Sequence, residues 1–468
     1  MLYFIIIKTL SDKKGLIITL IAVLVFALWK LSDLHFRFGD ENVYFYMTHA
    51  ILSGLVPYKD FFLADPPFFI YLLSGFKFLF GSNVILFKTL PVIFDSLSAI
   101  LIYLILKKKE NKFAFFGPIL YLFSFTVLST SDYITGAEMM IAFILLALYT
   151  EENKKHFWSG VFWALACLSK LYAGPALIGV LIYKIYKKEF ANLKKIILGG
   201  LVTTFVVLLP FIIIAPHQMF YDLIIHQFRR PEGINKWNIL EFFISLEWFI
   251  LMAGIIGAFV TKNKVWVFSF LFSLIFFLLY RDLYYLYLHL LWPFVALLAI
   301  EFVYFLDKNY EDLSWGFIIL YVFIIIYPIS VYTNNTSREG IFSNPEEIAE
   351  VLRLAPNNLP VYGTQEVAPL IALLSGREIF ENKIDTNTQN FASGTHNKDE
   401  ISKNAASQGI YLLARVGEYP EQNIHDTGFE SYFDAKIFKS TCSKLKSFPR
   451  PTLNDNLNEI AIYHCFSK

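Results

Sequence analysis

A helical membrane protein with about eleven transmembrane spans, followed by a small C-terminal α/β domain outside the membrane, is the fold this sequence predicts. Three observations predict it. Hydrophobic residues make up 56% of the chain and aromatic residues 18%, and mean hydropathy is +0.51, well above an ordinary soluble domain. The apolar residues fall into runs that can cross a hydrocarbon core of roughly 30 Å, which takes about 20 residues of helix. Between the runs the lysines gather in short clusters, and after Tyr332 the composition shifts toward asparagine, glutamate, glycine and serine.

Taken in order, the predicted spans lie near 16–32, 84–106, 113–130, 134–150, 157–169, 171–186, 196–215, 238–260, 265–280, 286–306 and 315–332. The first follows Asp12, Lys13 and Lys14 without a small-residue cleavage site, so it reads as a retained helix. Residues 1–10 read as a short amphipathic segment on the inner surface. Lysine and arginine accumulate in cytoplasmic loops. With the N-terminus inside, the clusters at Lys107 to Lys112, Lys154 and Lys155, Lys184 to Lys195, and Lys262 and Lys264 all fall on the cytoplasmic side. The loops 33–83, 216–237 and 281–285 and the tail from Thr333 onward then lie outside. The chain divides accordingly into a membrane domain, 1–332, and an extracytoplasmic α/β domain, 333–468. A net charge of +1 leaves no broad basic surface, so nucleic acid is not an expected partner. The lipid bilayer is.

The loop 33–83 is more than a connector. Its apolar stretches, Tyr44 to Leu55 and Phe68 to Phe80, are too short or too interrupted to span and aromatic enough to lie at headgroup level as two interfacial helices. In the tail, apolar runs at Val361 and Tyr362 and at Gly409 to Ala414 read as strands of the α/β domain. Three cysteines are too few for a disulfide scaffold. Cys167 lies in a span, whereas Cys442 and Cys465 lie in the tail, where a hairpin between them brings a disulfide within reach.

Asp40 and Glu41 follow Gly39 just beyond the external end of the first span. Two solvated acids at a helix exit is the plain reading. The other follows from what comes after them: Pro57, Asp60, Asp65, Pro66 and Pro67 shape a structured segment, and a carboxylate held where lipid meets water can accept a hydroxyl proton during attack on a lipid-borne electrophile. Asp95, inside the second predicted span, is a mid-membrane carboxylate that needs a polar cavity or a partner.

Residues 38–46 (Phe-Gly-Asp-Glu-Asn-Val-Tyr-Phe-Tyr), 50–61 (Ala-Ile-Leu-Ser-Gly-Leu-Val-Pro-Tyr-Lys-Asp-Phe), 66–71 (Pro-Pro-Phe-Phe-Ile-Tyr) and 80–81 (Phe-Gly) together resemble the first external loop of the protein-mannosyltransferase-like family. That family belongs to the GT-C class of polyprenyl-phosphate-sugar-dependent glycosyltransferases and includes the aminoarabinose transferases of lipid A. The match covers the first hundred residues in order and spacing; beyond them it rests on span number and the external tail. The resemblance implies an active site on the external face, Asp40 in the place of the family's catalytic acid and Glu41 as its partner. It also implies a sugar donor on dolichyl or undecaprenyl phosphate and a lipid, glycan or protein acceptor. Some members of the class use a divalent metal such as Mg or Mn and others none, so the two acids are also metal-ligand candidates. No Gly-rich phosphate loop follows a strand, so no nucleotide fold is expected.

Other polar residues are read against that background. Arg281, with Tyr285, resembles the family's basic-plus-tyrosine element before a proline-containing helix, and a guanidinium fork matches phosphate oxygens; a snorkelling anchor in an aromatic belt is the plainer account. Lys170 reads as a phosphate ligand or as the mark of an external turn. His226, Arg229 and Arg230 lie in a basic external loop suited to donor phosphate or merely to anionic headgroups. Glu138 lines the cavity or caps a helix N-terminus, and Asp65 and Asp95 are further cavity-lining candidates. The competing class is a multi-pass flippase or transporter of lipid-linked sugars, which commonly carries internal repeats that this sequence lacks.

Overall fold

A computed structural model of the chain describes residues 2–81, 83–233, 235–310, 313–338, 340–416, 429–450 and 459–466; for residues 2–12 it describes the backbone alone. It is mostly helical with one small sheet. Among the described residues six helices are long and apolar enough to cross a membrane: Lys13–Leu31, Val84–Lys108, Phe190–Ile214, Lys236–Val260, Tyr285–Asn309 and Leu313–Thr336. Pro67–Phe80, Leu171–Tyr186 and Lys264–Leu279 are shorter apolar helices. The first helix begins well before the predicted span, at Leu2, and runs unbroken to Leu31.

The segment 113–130, predicted as one span, is two short helices, Phe116–Leu122 and Phe125–Thr130. Hydropathy does not register the break; hydrogen bonding does. Ser124 has extended backbone angles and its hydroxyl accepts from Val127 N, while the buried Glu247 carboxylate on helix Lys236–Val260 accepts from Thr126 N at 3.0 Å. Two side-chain oxygens thus satisfy the amides that a fresh helix start exposes.

The chain forms two compact units. The first comprises 1–34, 88–208 and 232–338. Its core surrounds helix Trp292–Asn309, whose residues from Trp292 to Ile300 are all buried. Helix Lys236–Val260 packs against it closely because Gly257 has no side chain: a Cβ there would stand 1.9 Å from the Leu298 carbonyl oxygen. Ion pairs join the polar loops at one end of this unit: Lys109–Glu152 at 2.5 Å, Lys184–Glu151 at 2.5 Å and Lys112–Asp307 at 2.6 Å. A buried knot links three distant segments, the Lys30 ammonium bonding the Asp132 carboxylate and, at 2.6 Å, the Tyr332 hydroxyl. A buried charge is tolerable when it is paired in this way.

The second unit comprises 35–87, 209–231 and 339–468, which correspond, with small differences at the edges, to two of the three loops and the tail that sequence assigned to the outside; the third loop, 281–285, belongs to the first unit. Helices Glu41–Leu52 and Pro67–Phe80 stand where interfacial helices were expected. The four-stranded sheet has the order β1-β2-β4-β3, with β1 at Val361–Gly363, β2 at Ile410–Val416, β3 at Cys442–Pro449 and β4 at Glu459–Cys465. β1 runs parallel to β2, and the remaining neighbours are antiparallel. Cys442 and Cys465 are register partners at one end of the β3–β4 pair and form a disulfide.

Candidate functional site

The candidate residues divide between the two units, and each group is described within its own. In the second unit Asp40 precedes helix Glu41–Leu52 in helical backbone geometry and makes no side-chain capping bond. Its exposed carboxylate is therefore not spent on the helix start. Oδ1 accepts from the Gln365 side-chain amide at 3.0 Å. Glu41, by contrast, is buried. The next residue, Asn42, also buried, donates from Nδ2 to the Arg37 carbonyl at 2.9 Å and to the Glu366 carbonyl at 2.6 Å. Tyr46 accepts from Ile379 N at 2.9 Å. The segment around Asp40 is thus fastened on one side to the residues that follow β1.

A second group gathers around Asp65, which accepts from the Tyr44 hydroxyl at 2.9 Å through Oδ2 and from the Tyr58 hydroxyl at 2.7 Å through its carbonyl. His226 is buried, its Nδ1 lying 3.0 Å from Thr395 Oγ1, and the Phe62 ring sits between His226 and His396 with centroid distances of 4.9 and 5.7 Å. Burial, with help from the Arg230 and His396 charges, pushes the His226 imidazole down to about 4, against the opposing pull of Asp65. Asp222 is also buried, in a one-turn π-helical stretch at Tyr221–Ile225, accepting from Leu63 N at 3.3 Å and Gln218 Nε2 at 2.6 Å; burial raises its carboxyl to about 7. Such π turns recur at functional sites. Of the two neighbouring arginines, Arg230 is the one in this group, donating to Gln389 Oε1 at 2.5 Å and influencing His226 and Asp385, whereas Arg229 is exposed and lies over the Tyr221 ring at 5.6 Å.

In the first unit Asp95 has the partners that the sequence left unnamed. It is fully buried, accepting from Tyr121 Oη at 2.7 Å and Ser131 Oγ at 2.7 Å, with His289 Nε2 at 3.4 Å. His289 continues the chain of contacts, 3.1 Å from Tyr121 Oη and 3.0 Å from Thr130 Oγ1. Glu138 is buried and accepts from Gly136 N at 3.2 Å and Thr135 Oγ1 at 3.3 Å, so it caps its own helix, and the charges of Asp95 and Lys170 both act on it. Lys170 is buried in extended backbone between two helices. Arg281 is exposed, and Tyr285 is half-buried with its ring 4.9 Å from that of Tyr284.

Sequence reasoning missed Tyr121, Ser131, Gln365, Asp222, Asp385 and His396. Each is an unremarkable residue type in its local string, and long-range packing is what brings Tyr121 and Ser131 to Asp95, Gln365 to Asp40 and Asp222 to Leu63 N. Among the described residues no three histidine, cysteine, aspartate or glutamate side chains come together as a metal-ligand set.

Comparison with known structures shows which folds this one resembles. The crystal structure of ArnT from Cupriavidus metallidurans bound to undecaprenyl phosphate matches with a TM-score of 0.62 at 12% identity, over 96% of this chain and 97% of that one. The Archaeoglobus fulgidus oligosaccharyltransferase, in complex with Zn and sulfate, matches at 0.54 and 13% identity, over 84% of this chain and 67% of that one. The arabinofuranosyltransferase AftD from Mycobacteria matches at 0.53 and 13% identity, over 96% of this chain but 41% of the larger partner. The fold is shared with these three transferase structures, which belong to the GT-C class. Residues 64–214 match the family model described as dolichyl-phosphate-mannose-protein mannosyltransferase, in agreement with the resemblance carried by the first loop. Comparison with curated proteins gives no match.

Proposed function

We propose that this chain is an integral membrane glycosyltransferase that moves one sugar from a polyprenyl phosphate carrier, dolichyl or undecaprenyl, to an acceptor hydroxyl on the extracytoplasmic side. The observation that carries the reading is the likeness over 96% of the chain to a structure that holds undecaprenyl phosphate. The family-model match over 64–214 supports it from sequence. In this reading residues 1–332 form the membrane domain and 333–468 the extracytoplasmic domain, with the N-terminus cytoplasmic. Its support is that the two longer loops and the tail assigned outside by lysine placement largely coincide with one compact unit.

The reaction is a single displacement. The acceptor oxygen attacks the anomeric carbon, the bond from that carbon to the phosphate oxygen breaks with inversion, and its electron pair leaves on the lipid phosphate. Asp40, exposed and uncommitted to helix capping, takes the acceptor proton. Glu41 is its buried neighbour. Arg281, Lys170, Arg229 and Tyr285 are the candidates for stabilising the departing phosphate, with Arg230 added to them by its place beside His226. Asp65 and His226 in the second unit, and Asp95 and Glu138 in the first, are the further polar candidates.

The test is to incubate the purified full chain in lipid nanodiscs with a panel of undecaprenyl- and dolichyl-phosphate sugars and a membrane extract as acceptor source. Release of polyprenyl phosphate together with a glycosylated product of inverted anomeric configuration is expected. Failure to cleave any donor, combined with movement of intact lipid-linked sugar across a liposome bilayer, would assign the chain to the transporter class instead.

A further inference from the structure

The contact between Asp40 and Gln365 joins residues 325 positions apart, and several features of the fold serve to make it. Gln365 stands two residues past the end of β1, at the carboxyl edge of the parallel β1–β2 pair, in the turn before helix Ala368–Ser375. That turn is pinned from several sides. Thr364 N donates to the Leu413 carbonyl at 3.1 Å, and Thr386 Oγ1 donates to the Gly363 carbonyl at 2.6 Å. Gly363 has a φ of +151°, and a Cβ there would stand 2.0 Å from the Leu413 carbonyl oxygen, so only glycine fits. The following residue, Glu366, accepts from Asn42 through its carbonyl and pairs with Arg415 at 2.7 Å through its carboxylate. The turn and the start of helix Glu41–Leu52 are therefore held together by two contacts, Gln365 to Asp40 and Asn42 to Glu366.

A carboxylate only accepts hydrogen bonds, so the Gln365 atom facing Asp40 Oδ1 is the amide nitrogen as donor. We propose that Gln365 is a positioning residue: its amide fixes the rotation of the Asp40 carboxylate, so that the base which takes the acceptor proton is completed by the C-terminal segment of the chain. The inference rests on the reading of Asp40 as that base. Each hydrogen bond to an exposed carboxylate narrows the rotamers it samples, and general-base catalysis depends on one of them being held. The charged groups nearest in the chain to this contact are Arg37 and Glu41 on one side, and Glu366 with its partner Arg415 on the other.

Three variants of the full chain test this in nanodiscs, each with the donor from the panel that wild type turns over fastest: Gln365→Leu, Gln365→Glu and Asp40→Asn. Loss of one charge-assisted hydrogen bond predicts that Gln365→Leu lowers kcat about tenfold while the donor KM stays within about twofold. Gln365→Glu separates positioning from a structural role. Near pH 5 the introduced side chain is partly protonated and donates as the amide does, so turnover relative to wild type is high; near pH 8 two carboxylates repel and the ratio falls about tenfold or more. A ratio that stays constant with pH, or Gln365 variants within about twofold of wild type beside an inactive Asp40→Asn, overturns the inference alone. An active Asp40→Asn overturns the base reading beneath it. Where Gln365→Leu fails to fold, as judged by thermal unfolding, the pH ratio of Gln365→Glu decides.

Discussion

His226 is the residue whose surroundings make the sharpest quantitative statement. It is buried, with Arg230, His396 and Asp65 as the charged groups acting on it and Thr395 and Ser393 as hydroxyl neighbours. A free imidazole titrates near 6.5, and this one is held down to about 4. Its lowered value means that its contribution to stability is fully present above about 6.5 and lost as pH falls toward 4, a difference of roughly 3 kcal/mol. His226→Gln is accordingly expected to flatten the fall in thermal unfolding midpoint between those pH values, and an unchanged slope would show that His226 does not couple to folding. Sequence grouped His226 with Arg229 and Arg230 in one basic loop, and two adjacent arginines look alike in a string. Only the turn of the helix sends Arg230 toward Gln389 and leaves Arg229 over Tyr221. Asp95 shows the same limit: its position inside an apolar run announced that it needed partners, yet Tyr121, Ser131 and His289 lie 26, 36 and 194 positions away.

Secondary-structure elements were legible wherever a long apolar run met a charge cluster, because hydropathy and lysine placement are local properties. They were not legible at Ser124, where a capping hydroxyl and the distant Glu247 carboxylate turn one apolar run into two helices. In the tail the two strands flanking the disulfide form the outer pair of the sheet, antiparallel from Cys442 opposite Cys465 to Pro449 opposite Glu459. A crosslink over a separation of 23 residues removes chain entropy from the unfolded state worth roughly 3 kcal/mol. The double variant Cys442→Ser, Cys465→Ser should therefore lower the unfolding midpoint of the hairpin region, and wild type should yield a crosslinked peptide on non-reducing mapping. Recovery of both thiols free from native membranes would contradict this.

For the whole molecule the decisive quantity is sidedness, since an external base requires an external tail. Exposed positions report it best. Ser407, exposed in helix Lys398–Gln408, and Lys188, exposed in the loop before helix Phe190–Ile214, satisfy that requirement. In a background with Cys167 replaced by serine, Ser407→Cys should react with an impermeant thiol reagent in intact cells and Lys188→Cys only after permeabilisation. The opposite pattern would invert the orientation and place Asp40 on the cytoplasmic side. The central claim, sugar transfer with Asp40 as the base, is tested most directly by comparing donor binding and turnover in purified wild type, Asp40→Asn and Glu41→Gln. Replacing the carboxylate by an amide of the same size removes proton acceptance, so Asp40→Asn should bind donor normally and lose about 10²–10⁴-fold in turnover. Glu41→Gln should lose less. Near-normal turnover by a correctly folded Asp40→Asn protein would contradict the account.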